Sequence, residues 1–156
     1  MSKPPVLVLG GSHTALGVMR AFAGHHIPQF NVGAGTGFVS RSRWYRRLPV
    51  EAGDDPTPDA LAPFLAHLPF ERIVLVPCDD AWVAAVAALE PALAARCPAS
   101  TAPSESIATC LDKGRLADTL ARLGLPHPGT LRVSAADEVP ALWAALRDPF
   151  LKPANS

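Results

Sequence analysis

The stretch VLVLGGSHTALGVMRAFAG, residues 6–24, decides the fold. Val6, Leu7, Val8 and Leu9 are four consecutive β-prone apolar residues, the pattern of a strand buried on both faces. Gly10, Gly11 and Ser12 follow. Leu16, Met19, Phe22 and Ala23 then recur at helical spacing, and Gly24 suits the end of that helix. Strand, glycine turn and helix make the opening of a parallel α/β unit. Glycines allow a sharp turn and a close ligand approach. The helix N-terminus behind them offers N–H groups and a positive dipole end to an anion. The spacing is not G-x-G-x-x-G, so the dinucleotide fingerprint is not met. A tight turn with no ligand accounts for the same residues equally well.

The alternation continues along the chain. Residues 27–32 form a second strand candidate, and residues 33–47 a loop rich in Gly and Arg. A short helix over 57–68 carries Leu61, Phe64, Leu65 and Leu68 on one face, and 73–76 is another apolar strand. Asp79 or Asp80 can cap a helix bearing Trp82, Val83, Val86 and Leu89, which Pro91 should end or kink. A helix begins near Ser104. Its continuation, or a second helix, holds Leu116, Leu120 and Leu123 and stops at Gly124. The turn LGLPHPGT leads to a strand at 131–133. Ser134 is then expected to cap a helix with Val139, Leu142, Trp143 and Leu146, and a last strand lies at 150–152. The predicted class is α/β: a Rossmann-like parallel sheet flanked by helices.

Composition bounds the function. The 156 residues suit one domain or slightly more. Hydrophobic residues make up 49%, charged residues 18%, and 14 basic residues balance 14 acidic ones. Such a chain is neither a disordered tail nor a strongly basic nucleic-acid module. No apolar run reaches the roughly 18 residues of a membrane span, and the N-terminus does not read as a secretory signal. Cys78, Cys97 and Cys110 are widely spaced and form neither a disulfide frame nor a zinc pattern. A cytoplasmic protein that binds neither nucleic acid nor membrane is expected. A homo-oligomer is left open.

Five further segments could carry chemistry. Gly33-Ala-Gly-Thr-Gly37 looks like a nucleotide loop, but arginines rather than an apolar-periodic helix follow it, so it reads as a flexible loop. RSRWYRR, residues 41–47, could meet phosphates or an anionic substrate, or it could be a solvated connection. VPCDDAWV, residues 76–83, sets two carboxylates just past a strand end, where α/β sheets bind ligands; capping occupies one and leaves the other. Cys78 reads as a small buried residue rather than a nucleophile, since no His is placed to activate it. The last two segments hold Lys113 and Lys152. Among 14 basic residues only these and Lys3 are lysine, the rest being arginine. A compact ammonium on a flexible stem reaches a phosphate oxygen where a guanidinium does not fit.

In this order, VLVLGGS, SRSRWY, VPCDDAWV, LDKGRLADTLARLGLPHPGT and PFLKPANS resemble the front part of an ATP-grasp ligase, over essentially the whole chain. The D-K helix followed by G-L-P-H-P-x-T, and the later F-L-K-P, are the most specific parts. The subgroup it is most similar to is the carboxylate–amine ligases related to D-aspartate ligase and carbamoyl-phosphate-synthase-like proteins. The resemblance implies a pre-ATP-grasp Rossmann-like domain over 1–111 and the start of an ATP-grasp domain over 112–156. It implies that Lys113 and Lys152 contact ATP phosphates. It also implies that Gly10, Gly11, Ser12 and Asp80 face the acceptor substrate, with Arg41 and Arg43 near that side. The reaction would be ATP-dependent ligation of small molecules: phosphorylation of a carboxylate, then attack by an amine, with Mg²⁺ bridging the phosphates. The family pattern goes on to a glycine-rich lid, adenine-holding strands and late Glu/Asn metal ligands, which do not occur before Ser156. The chain is therefore expected to be an N-terminal portion, inactive and without tight ATP binding by itself. The alternative is a complete, non-catalytic binding or assembly module of the same fold. A Rossmann-type dinucleotide enzyme is disfavoured by the missing fingerprint.

Overall fold

Val6–Leu9 forms β1, the central strand of a three-stranded parallel sheet ordered β2-β1-β3 in a computed structural model of the chain. The structure describes residues 3–35, 37–51, 53–146 and 148–153. Thr36 of the 33–37 glycine run and residues 154–156 of PFLKPANS lie outside them. The described residues divide into two compact units, Met1–Ser104 and Glu105–Ser156.

In the first unit, β1 pairs with β2 (Gln29–Val32) in the register Val6↔Gln29 to Leu9↔Val32. It pairs with β3 (Val74–Pro77) from Val6↔Val74 to Leu9↔Pro77. A strand between two neighbours turns both faces inward, and Leu7, Val8 and Leu9 are fully buried. Side chains alternate along it. Val6 and Val8 face Ala15 and Met19 of helix α1 (His13–Ala23), with Val39. Leu7 and Leu9 face Leu61 and Leu65 of α2 (Pro58–Ala66) and Trp82, Ala85 and Val86 of α3 (Asp80–Ala87). Burial of each large apolar side chain contributes about 1.5–3 kcal/mol. The sheet with its flanking helices is the expected α/β architecture.

Several local expectations change. The second strand begins at Gln29, two residues later than read, and the third runs to Pro77. Helix α3 ends at Ala87, and Pro91 opens a separate helix, α4 (Pro91–Arg96), where its missing N–H costs nothing. Arg96 at the end of α4 donates to Ala66 O at 3.3 Å, Leu68 O at 2.8 Å and Phe70 O at 3.0 Å. A cation there satisfies orphan carbonyls at and beyond the C-terminus of α2.

The second unit contains α5 (Ser104–Leu111) from Glu105 onward, α6 (Lys113–Arg122) and α7 (Val139–Ala144). Asp112 separates α5 from α6 by capping the latter, so the Leu116 and Leu120 segment is a second helix rather than a continuation. The strands expected at 131–133 and 150–152 do not form. A strand exists by pairing with another, and among the described residues this unit offers no ladder. Ser134 does not cap the last helix. The Glu138 carboxylate instead accepts from Ser134 N at 2.8 Å and Ala135 N at 3.3 Å, and a 3₁₀ turn over Ala136–Glu138 precedes α7. No helix among the described residues is long and apolar enough to cross a membrane.

Candidate functional site

The order β2-β1-β3 makes the connections leaving β1 and β3 run to opposite sides of the sheet. Their C-terminal ends therefore flank a switch point, the position at which open α/β sheets bind ligands. The β1–α1 turn, Gly10-Gly11-Ser12, and the β3–α3 turn, Cys78-Asp79, meet there. Ser12 accepts from Ala15 N at 3.4 Å, which caps α1, and its hydroxyl donates to Cys78 O at 3.2 Å. One side chain thus starts a helix and ties the two turns together. Cys78 N donates to Leu9 O at 2.9 Å, and Gly10 N to Val32 O at 2.8 Å, so the sheet ladder reaches up to the turns.

Asp79 caps α3 by accepting from Trp82 N at 3.1 Å. Its other oxygen lies 2.7 Å from where a Cβ on Gly10 would stand. Gly10 has φ +120, so both its backbone and its neighbour demand glycine. Gly11 is equally constrained, because a Cβ there would come within 2.5 Å of Gly33 O. Asp80 follows as the first residue of α3 and is exposed. Of the two carboxylates, Asp79 is the cap and lies over Gly10.

Two residues of this junction escaped the reading of the sequence. Gly33, placed in a flexible loop, has φ +85 and packs against Gly10 and the Trp82 indole. Its N–H donates to Asp54 Oδ1 at 3.2 Å. Gly33 is thus a tied position seated on the first turn. The glycine spacing was visible as G-A-G-T-G, but the partner that makes glycine necessary at 33, Gly10–Gly11, is distant in sequence. Asn31 is buried and donates to Val8 O at 3.0 Å and Gly10 O at 2.9 Å, holding β2 against the turn from the side.

Burial, reinforced by the Asp79 charge, pushes the Cys78 thiol up to about 11. Cys78 is therefore a protonated, packed thiol at neutral pH, as its sequence context suggested. Cys78, Cys97 and Cys110 are all free.

The arginines of 41–47 do not form one patch. Arg41 and Arg43 line a groove of about 720 Å³ along α1, with Leu16, Arg20, Phe38, Ser42 and Trp44. Arg47 lines a different cleft of about 470 Å³ at the end of β2, with Asn31, Gly33, Tyr45 and Asp54. The lining of neither cavity includes Gly10, Gly11, Ser12 or Asp80.

In the second unit, Lys113 is the first residue of α6, directly after its cap. The Asp112 carboxylate accepts from Gly114 N and Arg115 N, both at 2.9 Å. The Arg115 N–H holds that carboxyl below its ordinary range against the opposing effect of burial, with smaller help from the Gly114 N–H and the charges of Arg132 and Arg115. Arg132 bridges to Asp118 at 3.0 Å, and its guanidinium covers Gly114 so closely that a Cβ there would clash with it. Lys152 lies in an extended, exposed segment with its ammonium 4.9 Å above the Phe150 ring. Among the described residues, no three His, Cys, Asp or Glu side chains are grouped to hold a metal ion.

No protein-family model and no curated protein sequence matches this chain. Among solved structures it is similar to phosphoribosylglycinamide synthetase from Anaerococcus prevotii, with a TM-score of 0.61 at 15% identity. The match covers 94% of this chain and 35% of that one, so the chain spans about a third of the synthetase's length. At this identity the likeness establishes a shared α/β fold with the part of the synthetase that it covers.

Proposed function

We propose that this chain supplies the front part of an ATP-dependent ligase of the ATP-grasp type, joining a carboxylate to an amine through an acylphosphate. The observation that carries this reading is the junction of Gly10, Gly11 and Ser12 with Asp79 at the switch point of the sheet. It is supported by the fold likeness to a synthetase over 94% of the chain. In this reading the substrate to be activated approaches the Gly10-Gly11-Ser12 turn. The N-terminal end of α1 favours a carboxylate or phosphate there. Asp80, the carboxylate not used as a cap, faces a cationic or hydrogen-bond-donating part of the substrate.

Lys113 and Lys152 would hold the ATP phosphates. An ammonium one residue past the Asp112 cap stands where the amides of α6 also favour negative charge. The nucleotide supplies the phosphoryl group that makes a carboxylate reactive. The lysines neutralise and position it, which is most of what phosphoryl transfer asks of a protein. Mg²⁺ would accompany the nucleotide and help to neutralise its phosphates. The domain division belongs to the same proposal: a pre-ATP-grasp domain over 1–111 and the beginning of the ATP-grasp domain from 112.

The reading is tested in two steps. The coding sequence beyond Ser156 should continue into a glycine-rich segment and late Glu/Asn residues, and an unrelated continuation overturns it. In the protein encoded by that continued frame, Lys113→Ala and Lys152→Ala should each weaken ATP binding or turnover by about tenfold or more. Unchanged kinetics in both variants remove the phosphate assignment.

A further inference from the structure

The groove along α1 is distinct from the glycine junction and has an unusual charge. Its lining carries three guanidinium groups, Arg20 from α1 and Arg41 and Arg43 from the segment after β2, and no carboxylate. None of the three is seen in an ion pair among the described residues. In a chain with 14 basic and 14 acidic residues, three unneutralised arginines around one cavity are a local concentration of positive charge. Like charges held together cost free energy unless something compensates them.

The rest of the lining gives the groove shape. Phe38, 45% exposed, is the one large hydrophobic residue of the first unit found exposed among the described residues. Its ring lies 4.5 Å from that of His13 at the start of α1. Arg43 is seated over the Trp44 ring at 4.4 Å, which orients its guanidinium and removes part of its freedom. Leu16 adds an apolar patch and Ser42 a hydroxyl. A volume of about 720 Å³ lies within the range of small-molecule sites.

We infer that this groove binds a small polyanion, a molecule carrying two or more phosphate-type groups on a compact body. Arginine forks match phosphate oxygens in pairs, and three positive charges around one groove suit a ligand of charge near −3. The division of the 41–47 arginines between two cavities argues against nucleic acid, which needs a continuous basic track. This inference does not depend on the ligase reading, since it uses neither the glycine junction nor the lysines.

The test is isothermal titration of the full 156-residue chain with inorganic pyrophosphate at low ionic strength. Binding is expected, weakening as salt is raised. Arg41→Gln combined with Arg43→Gln should weaken it by about tenfold or more, and Arg20→Gln by a smaller factor. Arg115→Gln, which removes a charge outside the groove, should leave it unchanged. The exposed arginine side chains carry no ion pair, so thermal melts should show these variants folded. Three results overturn the inference. The first is no binding to the unaltered chain. The second is binding that survives the double variant but disappears with Ser12→Ala, which would move the anion to the α1 N-terminus. The third is a single-stranded oligonucleotide binding through the same arginines more tightly than pyrophosphate.

Discussion

The two units solve the problem of burying apolar surface to very different extents. Every member of the buried apolar core among the described residues, from Val6 to Cys97, belongs to Met1–Ser104. In Glu105–Ser156 the buried residue is Gly114, while Leu123, Leu125, Leu131, Val133, Trp143, Phe150 and Leu151 are exposed. The apolar content of the two stretches is not the cause, since both contain Leu, Val, Trp and Phe at structured spacing. A sheet is. Three paired strands create two faces on which helices can lay their apolar stripes. The second unit has helices and no ladder, so its apolar residues have no complementary layer among the described residues.

The largest expected effect tests that contrast directly. Leu7→Ala, at a fully buried position in β1, should cost about 2–5 kcal/mol in a urea titration. Leu151→Ala, at a position 62% exposed, should stay within about 0.5 kcal/mol. Equal effects would break the comparison. A smaller difference is expected between two glycines that share a left-handed backbone. Gly33 has φ +85 with Trp82 Nε1 3.1 Å and Gly10 Cα 3.2 Å from a built Cβ, whereas Gly124 has φ +65 and nothing within 4 Å. Strain alone costs about 1–3 kcal/mol at such a position. Gly33→Ala should therefore lower the thermal midpoint more than Gly124→Ala, and the reverse order would mean that the glycine junction is loosely packed.

The smallest effects are in proton and thiol chemistry. Asp112 is held below the ordinary carboxylate range, so its capping of α6 contributes above that range and is lost as pH falls through its lowered value. Helical ellipticity should show an acid-side loss that Asp112→Asn removes. Cys78 titrates in the opposite sense. Its thiol is raised from 9.0 to about 11, so its contribution is present below pH 9.0 and is lost as pH rises toward 11. Iodoacetamide at neutral pH should label the exposed Cys110 well before the buried Cys78 or Cys97. Early labelling of Cys78, read by mass spectrometry, would show that the junction opens.

The legible parts of the molecule were those whose physics is local. The run from Val6 to Leu9, the glycine turn and the Ser12 cap lie within a few residues of one another, and each follows from backbone preference. The same holds for Asp79 or Asp80 as a cap, although only the fold shows that Asp79 takes that role and covers Gly10. The illegible parts are contacts between distant segments. Arg96 beneath α2, Gly33 against Gly11 and Asp54 on the Gly33 amide join residues about 20–30 positions apart. The expected strands at 131–133 and 150–152 failed for a related reason: β propensity describes a residue's fit to a sheet that must already be there.

By itself, the sequence determined the class of fold, the position of the first βα turn and the absence of a long basic track or an apolar membrane-spanning run. These follow from periodicity, glycine stereochemistry and charge balance, which are properties of neighbouring residues. The tertiary structure decided which glycines touch, which aspartate caps, and how the arginines of 41–47 divide between two cavities. Those outcomes depend on the strand order β2-β1-β3, which brings the ends of β1 and β3 together across more than sixty intervening residues. No local preference encodes that meeting; it follows from packing both faces of one sheet.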